Sequence, residues 1–285
     1  MTAQILDGIV FGLQLGLLAS GLTLVYGLGG VLNLAYGQMA VISAMVVLFA
    51  MDAGISLWPA VGLGLLAGGL LGLFLDLTIL RPVYRLRGEA RVLLSLLLTL
   101  GVAFIVDGFL NWRFPLNSLS LHVGGGAVEI FGVPMRRGSL VASAITLVAF
   151  AALFVFFRYT TLGRAVRSVI EDEEGARLVG IDPRRMLRLI LVLSGVLAAV
   201  VAMTRSMVAP VDVQSGFSIT VFALIVTVVG GLGSVPGALL AGVILGIINS
   251  IAATYIGTFL SLIILLGAAA VTILIRPSGL LGVEE

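Results

Sequence analysis

The chain has 285 residues, of which 60% are hydrophobic and 11% are charged, and its formal net charge is +2. Soluble domains average about 45–50% apolar and about 25% charged residues, so this composition excludes an ordinary soluble fold. The absence of cysteine excludes disulfides, thiolate metal sites and a cysteine nucleophile. The alternating pattern of an outer-membrane β-barrel is also missing, so we expect an all-α protein.

Apolar runs of roughly the 17–25 residues that cross a bilayer recur along the chain. The clearest are Ile5–Val25, Leu57–Leu80, Val92–Leu110, Leu140–Phe157, Leu187–Val208 and Phe259–Ile275. With shorter apolar stretches between them, they predict a polytopic transmembrane helical bundle of about eight or nine membrane segments, forming one domain over 1–285.

The stretch VYGLGGVLNLAYGQMAV at 25–41 interrupts this pattern with glycines and clustered polar side chains. Glycine at membrane depth frees backbone groups that need partners in protein or water, and buried polar residues in membranes are often functional. We therefore expect a broken segment that lines a transport path, although glycine also serves plain helix packing. The expected path residues here are Gly29, Gly30, Asn33, Tyr36 and Gln38.

A second interruption, GLGSVPG at 231–237, lies near the other end of the chain. Interrupted apolar segments in corresponding halves indicate the binding region of a transporter. The expected path residues here are Gly231, Gly233 and Ser234.

All 16 basic residues are arginines, and most lie in the loops 81–91 and 158–188. Short cytoplasmic loops collect arginine and lysine, so we expect both loops, and the C-terminus after Arg276, to be cytoplasmic. The segment 111–138 then faces outward, and its glycines and Pro134 predict a short hairpin or irregular loop.

Two topologies fit these loops. In the first, the N-terminus is inside, 28–50 dips in from outside, and the second break is approached from the cytoplasm, which gives an inverted pair. In the second, 27–33 is a cytoplasmic turn between two full spans and the N-terminus is outside.

Two carboxylates, Asp76 and Asp107, fall within apolar runs, where pairing or snorkelling competes with a functional role.

The segment 159–186 is too long for a tight turn between spans. Its EDEE at 171–174 predicts the first turn of a short helix, and Gly180 with Pro183 predicts the end of that helix. A short helix parallel to the membrane is suited to docking on a soluble protein, and a solvated loop is the alternative.

Four stretches resemble the branched-chain amino acid ABC transporter permease family, in order over nearly the whole chain. They are LTLVYGLGGVLNLAYGQM, TTLGRAVRSVIEDEEGARLVGI, VVGGLGSVPGALLAGVILG and RPSGLLG. The resemblance assigns 159–186 to the cytoplasmic segment that couples to the ATPases. The matching positions are Gly163, Arg164, Arg167, Glu171, Asp172, Ala176, Gly180 and Ile181.

The resemblance implies a non-enzymatic permease subunit of an importer in a bacterial-type inner membrane. Its implied partners are a second permease subunit, two ATPase subunits that bind ATP–Mg, an extracytoplasmic substrate-binding protein and membrane lipid. No nucleic acid, metal or bound cofactor is expected, and the chain lacks the phosphate loop of an ATPase.

One departure concerns the substrate. Where many family members have a histidine and an acidic residue, this chain has Tyr36 and Gln38. Relatives carry leucine, isoleucine and valine, and others resemble carriers of urea, short amides or aromatic acids. A secondary transporter is a further alternative and an intramembrane enzyme a distant third, since few charges and no nucleophile–base pair stand out.

Overall fold

The computed structural model describes residues 2–86, 88–124, 126, 128–130, 133–276 and 279–281. These residues form a helical bundle with a few very short strands. The helices are α1 (Thr2–Gly29), α2 (Tyr36–Asp52), α3 (Leu57–Phe74), α4 (Glu89–Arg113), α5 (Arg137–Tyr159), α6 (Thr161–Glu171), α7 (Glu173–Leu178), α8 (Pro183–Ser206), α9 (Ser215–Gly230), α10 (Val235–Ile256) and α11 (Thr258–Ile275). The strands are β1 (Ser118–Leu119), β2 (Val128–Ile130), β3 (Val133–Met135) and β4 (Val211–Asp212).

Within the described ranges, 6 helices are long and apolar enough to cross a membrane. They are α1, α3 with its π-helical extension Leu75–Ile79, α4, α5, α8 and α10, and the shorter apolar helices are α2, α9 and α11. Their number agrees with the predicted eight or nine segments. At 1.5 Å per residue, the 22 residues of α10 extend roughly 33 Å, about the thickness of a bilayer core.

The two ends of the bundle differ in chemistry. The end named here the arginine-rich end carries the loop 80–88 and helices α6 and α7, which follow α5 and precede α8. The opposite end, named the hairpin end, carries the four strands. Strands β2 and β3 pair antiparallel, and β1 pairs antiparallel with β4. The hairpin predicted within 111–138 is therefore confirmed.

Helix α1 runs through the centre of the bundle from the hairpin end to the arginine-rich end. Near its start, Asp7 lines a cavity with Pro134 and Arg136. At its end, Gly29 lines a cavity with Arg91. The first break therefore begins at the arginine-rich end, as in the second of the two topologies.

The two breaks meet instead of lying on opposite sides. A Cβ on Gly27 would come within 2.9 Å of the Cα of Gly233. Helix α9 runs toward the arginine-rich end and α10 runs away from it, just as α1 runs toward that end and α2 away from it. The prediction that 28–50 dips in from the opposite side, forming an inverted pair with the second break, is wrong. Hydropathy gives the length of each span but not which ends of the spans meet.

Close backbone approach holds the central helices together. Helices α1 and α10 cross antiparallel through glycines, and a Cβ on Gly8 or Gly12 would lie 2.6 Å or 2.7 Å from the Cα of Ile247 or Val243. Small residues at such crossings allow the tight van der Waals packing that drives helix association in lipid. Helices α4 and α5 are mostly exposed at the periphery of the bundle.

Candidate functional site

The first break spans residues 30–35 and takes its hydrogen bonds from α4. The Leu32 amide donates to Ser95 Oγ at 3.1 Å, and the Leu34 amide donates to Thr99 Oγ1 at 3.0 Å. These hydroxyls lie roughly 9 and 15 Å along α4 from its first residue, at 1.5 Å per residue. The break therefore climbs from the arginine-rich end to about half the depth of a 30 Å bilayer core.

Helix α9 completes this set of partners. The Thr220 hydroxyl donates to the Leu34 carbonyl at 3.2 Å and accepts from the Gly37 amide at 2.9 Å. Non-helical backbone at membrane depth is tolerated only where protein or cavity water satisfies it. Ser95, Thr99 and Thr220 were not predicted from the sequence, where each is a single hydroxyl inside an apolar helix.

The Asn33 side chain stabilises the backbone of the first break by bonding within it. Its Oδ1 accepts from the Ala35 amide at 3.0 Å, and its Nδ2 lies 3.4 Å from Met39 Sδ. The side chain thus mimics a backbone turn, as asparagine commonly does, and it is fully buried.

Tyr36 and Gln38 bring unused hydrogen-bonding groups into the core. Both are buried, and the Tyr36 hydroxyl packs against Gly21 and beside Ser194. Within the described residues, neither the Tyr36 nor the Ser194 hydroxyl, nor Gln38 Oε1, has a hydrogen bond of ordinary geometry. A buried polar group without a partner costs about 1–3 kcal/mol.

The second break lies apart from Tyr36 and Gln38. Gly231 and Gly233 have φ of +100° and +93°, and Ser234 caps α10 by accepting from the Gly237 amide at 3.1 Å. Gly279 packs on Gly231. The structure therefore brings Gly231, Gly233 and Ser234 to the arginine-rich end, beside α1 but not beside Tyr36 and Gln38.

Helices α6 and α7, with the residues up to 182, form what we name the coupling segment, 160–182. Thr160, Asp172 and Asp182 act as N-caps of α6, α7 and α8, each accepting a backbone amide at 2.9 or 3.0 Å. Such caps favour the helix start by roughly 1 kcal/mol each. Gly180 has a φ of +86° after α7. The predicted short helix beginning within 171–174 is confirmed.

The predicted coupling residues divide by exposure. Gly163 and Ala176 are buried, and Ile181 is half-buried. A Cβ on Gly163 would collide with the backbone carbonyl of Phe156 in α5, so this residue fixes α6 against a spanning helix. The exposed members are Arg164, Arg167, Glu171, Asp172 and Gly180.

Two apolar residues that the sequence analysis did not assign to coupling project from the segment. Leu178 is 89% exposed and Val179 is 76% exposed, at the end of α7. Both side chains lie outside the spanning helices and precede α8.

A buried carboxylate ties the arginine-rich end together. Asp76, which is 4% exposed, accepts from the Tyr84 hydroxyl and from Arg188 Nε, both at 2.8 Å. Burial raises the pKa of Tyr84 well above its usual range, and the nearby charge of Asp76 raises it further. Tyr84 therefore stays protonated and donates to Asp76. Of the roles left open for Asp76, the structure shows pairing.

The family model that matches this chain covers residues 4–274 and is described as the branched-chain amino acid transport system / permease component. The chain belongs to this family. The match extends over all the spanning helices and both breaks, so it includes every element of the candidate site. The permease is accordingly a multi-pass membrane protein.

Relatives and a solved structure agree with this assignment. The permease is 29% identical to the high-affinity branched-chain amino acid transport system permease protein LivH of Escherichia coli K12, over 99% of this chain and 96% of that protein. It is 28% identical to LivM of the same organism, over 93% of this chain and 67% of that protein. PsaBC from Streptococcus pneumoniae in complex with Fab shares the fold, with a TM-score of 0.51 at 11% identity over 95% of this chain and 91% of that chain.

Proposed function

We propose that this permease is the membrane subunit of an ATP-driven importer for branched-chain amino acids. The observation that carries the proposal is the coupling segment, in which capped helices present Leu178 and Val179 outside the spans. The names of LivH and LivM support the substrate class.

The orientation follows from charge. Cytoplasmic loops accumulate arginine, so we assign the arginine-rich end to the cytoplasm, together with the C-terminus after Arg276. The hairpin end then faces outward, where an extracytoplasmic binding protein would deliver the solute. This is the arrangement of a subunit in a bacterial-type inner membrane.

The partners follow from what this chain offers and lacks. Its sequence has no phosphate loop, so two ATPase subunits would bind ATP–Mg and dock on the coupling segment. The exposed peripheral helices α4 and α5 leave room for a second permease subunit of the same family. The joint similarity to LivH and LivM supports such a pair, and a homodimer remains the other arrangement.

Movement of the coupling segment would reach the path through α8. Gly29, where α1 ends, packs against Leu187 of α8, and a Cβ on Gly29 would lie 2.6 Å from Leu187 Cδ1. A shift of α8 would therefore displace the first break, beginning at Gly29 and Gly30. Opening there would expose the free polar groups of Tyr36 and Gln38 to the solute, with Asn33 keeping the turn. The hinge at the second break would be formed by Gly231, Gly233 and Ser234.

The test is uptake by proteoliposomes that hold the permease with its co-purified partners. Radiolabelled leucine, isoleucine and valine are compared with urea, a short amide and phenylalanine, with and without internal ATP. ATP-dependent uptake of the branched-chain set is expected. Uptake of a different solute in the panel would replace branched-chain amino acids as the assigned substrate. ATP-independent uptake driven by an ion gradient would contradict the assignment as an ATP-driven importer.

A matched pair of variants tests the coupling segment. Leu178→Glu should reduce recovery of the ATPase subunits and abolish ATP-dependent uptake, because a charge replaces the apolar contact. Leu116→Glu is the control, since Leu116 is 94% exposed at the hairpin end. Equal ATPase recovery with both variants would contradict docking at 160–182.

A further inference from the structure

A charged cleft at the arginine-rich end lies between α4 and α7 and borders the first break at Gly29. It consists of two adjoining cavities, of about 60 Å³ and about 420 Å³. Both are lined by Tyr84, Arg91, Glu173 and Arg177, so they lie side by side between the start of α4 and α7.

The cleft carries a surplus of positive charge. Besides Arg91 and Arg177, its walls include Arg85 and Arg184, against the two carboxylates of Glu173 and Glu174. The ion pair between Arg177 and Glu173 neutralises one charge of each sign. The charges that remain for an anion in the cleft are those of three arginines, Arg85, Arg91 and Arg184, and of one glutamate, Glu174.

Arg91 is the arginine of the cleft with a buried donor that has no partner among the described residues. Its Nε is buried and has no hydrogen-bond partner within the residues that the structure describes, and it forms no ion pair among them. A guanidinium is always charged and presents a fixed fork of donors that fits phosphate and carboxylate oxygens.

The position of Arg91 is set by its neighbours. Its guanidinium lies 5.9 Å from the centroid of the Tyr84 ring, a distance at which cation–π attraction operates. Tyr84 is in turn held by Asp76, and Asp76 by Arg188. The cleft therefore has a wall fixed by hydrogen bonds, as a preorganised binding site requires.

The surroundings favour a lipid. Leu86 lies on the wall of the larger cavity, and Leu93 and Leu97 are exposed on α4, two and six residues beyond Arg91. A charged cleft at the end of an exposed apolar helix face matches the two parts of a phospholipid. Basic pockets between spans on the cytoplasmic side bind anionic headgroups in this way.

We propose that the cleft between Arg85, Arg91 and Arg184 binds the phosphate of an anionic phospholipid, with the acyl chains along Leu93 and Leu97 of α4. The guanidinium of Arg91 forms the central contact, bidentate to the phosphate oxygens. The bound lipid bridges the loop 80–88 to α7 and the start of α8.

Native mass spectrometry of the purified full-length permease in detergent tests this site, with titrations of phosphatidylglycerol and phosphatidylcholine. Wild type should bind phosphatidylglycerol more tightly than phosphatidylcholine. Arg91→Gln should weaken phosphatidylglycerol binding about fivefold or more, as expected for loss of one arginine near a lipid surface. Arg158→Gln is the control, an exposed arginine at the same end but outside the cleft, and should change binding less than twofold.

Arg91→Lys keeps the charge, so an intermediate affinity in this variant supports the site even if Arg91→Gln folds poorly. Equal affinity of Arg91→Gln and Arg158→Gln for phosphatidylglycerol, or no preference over phosphatidylcholine in wild type, would overturn it. Leucine and inorganic phosphate are added as competitors. Displacement of the lipid by leucine would also overturn the lipid assignment, because the cleft would then hold a transported carboxylate. The readout is binding alone, so it does not depend on the proposed function.

Discussion

Arg188 on α8 donates from Nε to Oδ2 of Asp76, at 2.8 Å, across 112 positions of sequence. The other ion pairs in the described part of the chain join positions three or four apart. The Asp76–Arg188 pair is therefore the one among them that connects two spanning segments. It joins the end of α3 to the helix that follows the coupling segment.

Removing the charge of Asp76 should destabilise the arginine-rich end. Asp76→Asn leaves Arg188 without its acceptor charge, and a hydrogen bond to a charged group contributes about 1.5–3 kcal/mol. We expect a lower melting temperature in detergent. Because the Arg188 side chain is 46% exposed, the loss should fall toward the lower part of that range.

Arg185→Gln is the matched control for that measurement. It removes the Asp182–Arg185 pair, which is largely exposed and joins i to i+3. Exposed pairs contribute about 0–1 kcal/mol, so its melting temperature should stay near that of wild type. Identical melting of Asp76→Asn and Arg185→Gln would show that the buried pair carries no special stability.

The Tyr36 hydroxyl should matter for transport and not for folding. It has no hydrogen bond of ordinary geometry to lose within the described residues, so Tyr36→Phe should melt at or above the wild-type temperature. Uptake should fall several-fold if the hydroxyl serves the open conformation. Ser43→Ala is the control, since the Ser43 hydroxyl bonds the Met39 carbonyl of its own helix. If Tyr36→Phe takes up solute at the wild-type rate, the Tyr36 hydroxyl has no role in transport and the side chain serves packing alone.

Thr220→Val should destabilise the first break. The hydroxyl serves the Leu34 carbonyl and the Gly37 amide, and orphaned buried groups cost about 1–3 kcal/mol. Thr220→Ser should restore most of the stability. Thr254→Val is the control, because the exposed Thr254 hydroxyl bonds only its own helix at Ser250. The measurement is the melting temperature, and equal values for the two valine variants would exclude Thr220 as a support of the break.

Gly12→Ala should push α1 away from α10. The new Cβ would lie 2.7 Å from the Cα of Val243, which is backbone and cannot rotate away. Overpacking of this kind costs about 1–3 kcal/mol. Gly101→Ala is the control, since nothing lies within 4 Å of the added Cβ. Monodispersity on size exclusion and melting temperature would report the difference, and equal behaviour would indicate a flexible crossing.

The spans and the short helix of the coupling segment were predictable because each is encoded locally. Apolar length defines a span, and Asp172 with its following glutamates defines a helix start. The division of the coupling residues was not predictable. Gly163 and Arg167 lie on the same helix, and only the position of α5 makes one a packing contact and leaves the other exposed.

The hydrogen-bond partners of the first break could not be predicted from the sequence for a related reason. Hydroxyls in membrane helices commonly bond a carbonyl one turn earlier in their own helix, and Thr99 and Thr220 do so as well. Their second role toward Leu34 depends on how α4 and α9 pack around the break. The same limit explains the wrong orientation given to the two breaks, which depends on the crossing of α1 with α10.

The short segment 279–281 has a consequence for biogenesis. The amides of Leu280 and Leu281 donate to the carbonyls of Val229 and Gly230, at 2.9 and 3.2 Å. These carbonyls belong to the last turn of α9, so that turn reaches its full set of partners only after α10 and α11 have been synthesised. A truncation before residue 279 would remove both donors and should leave the Val229 and Gly230 carbonyls without these partners.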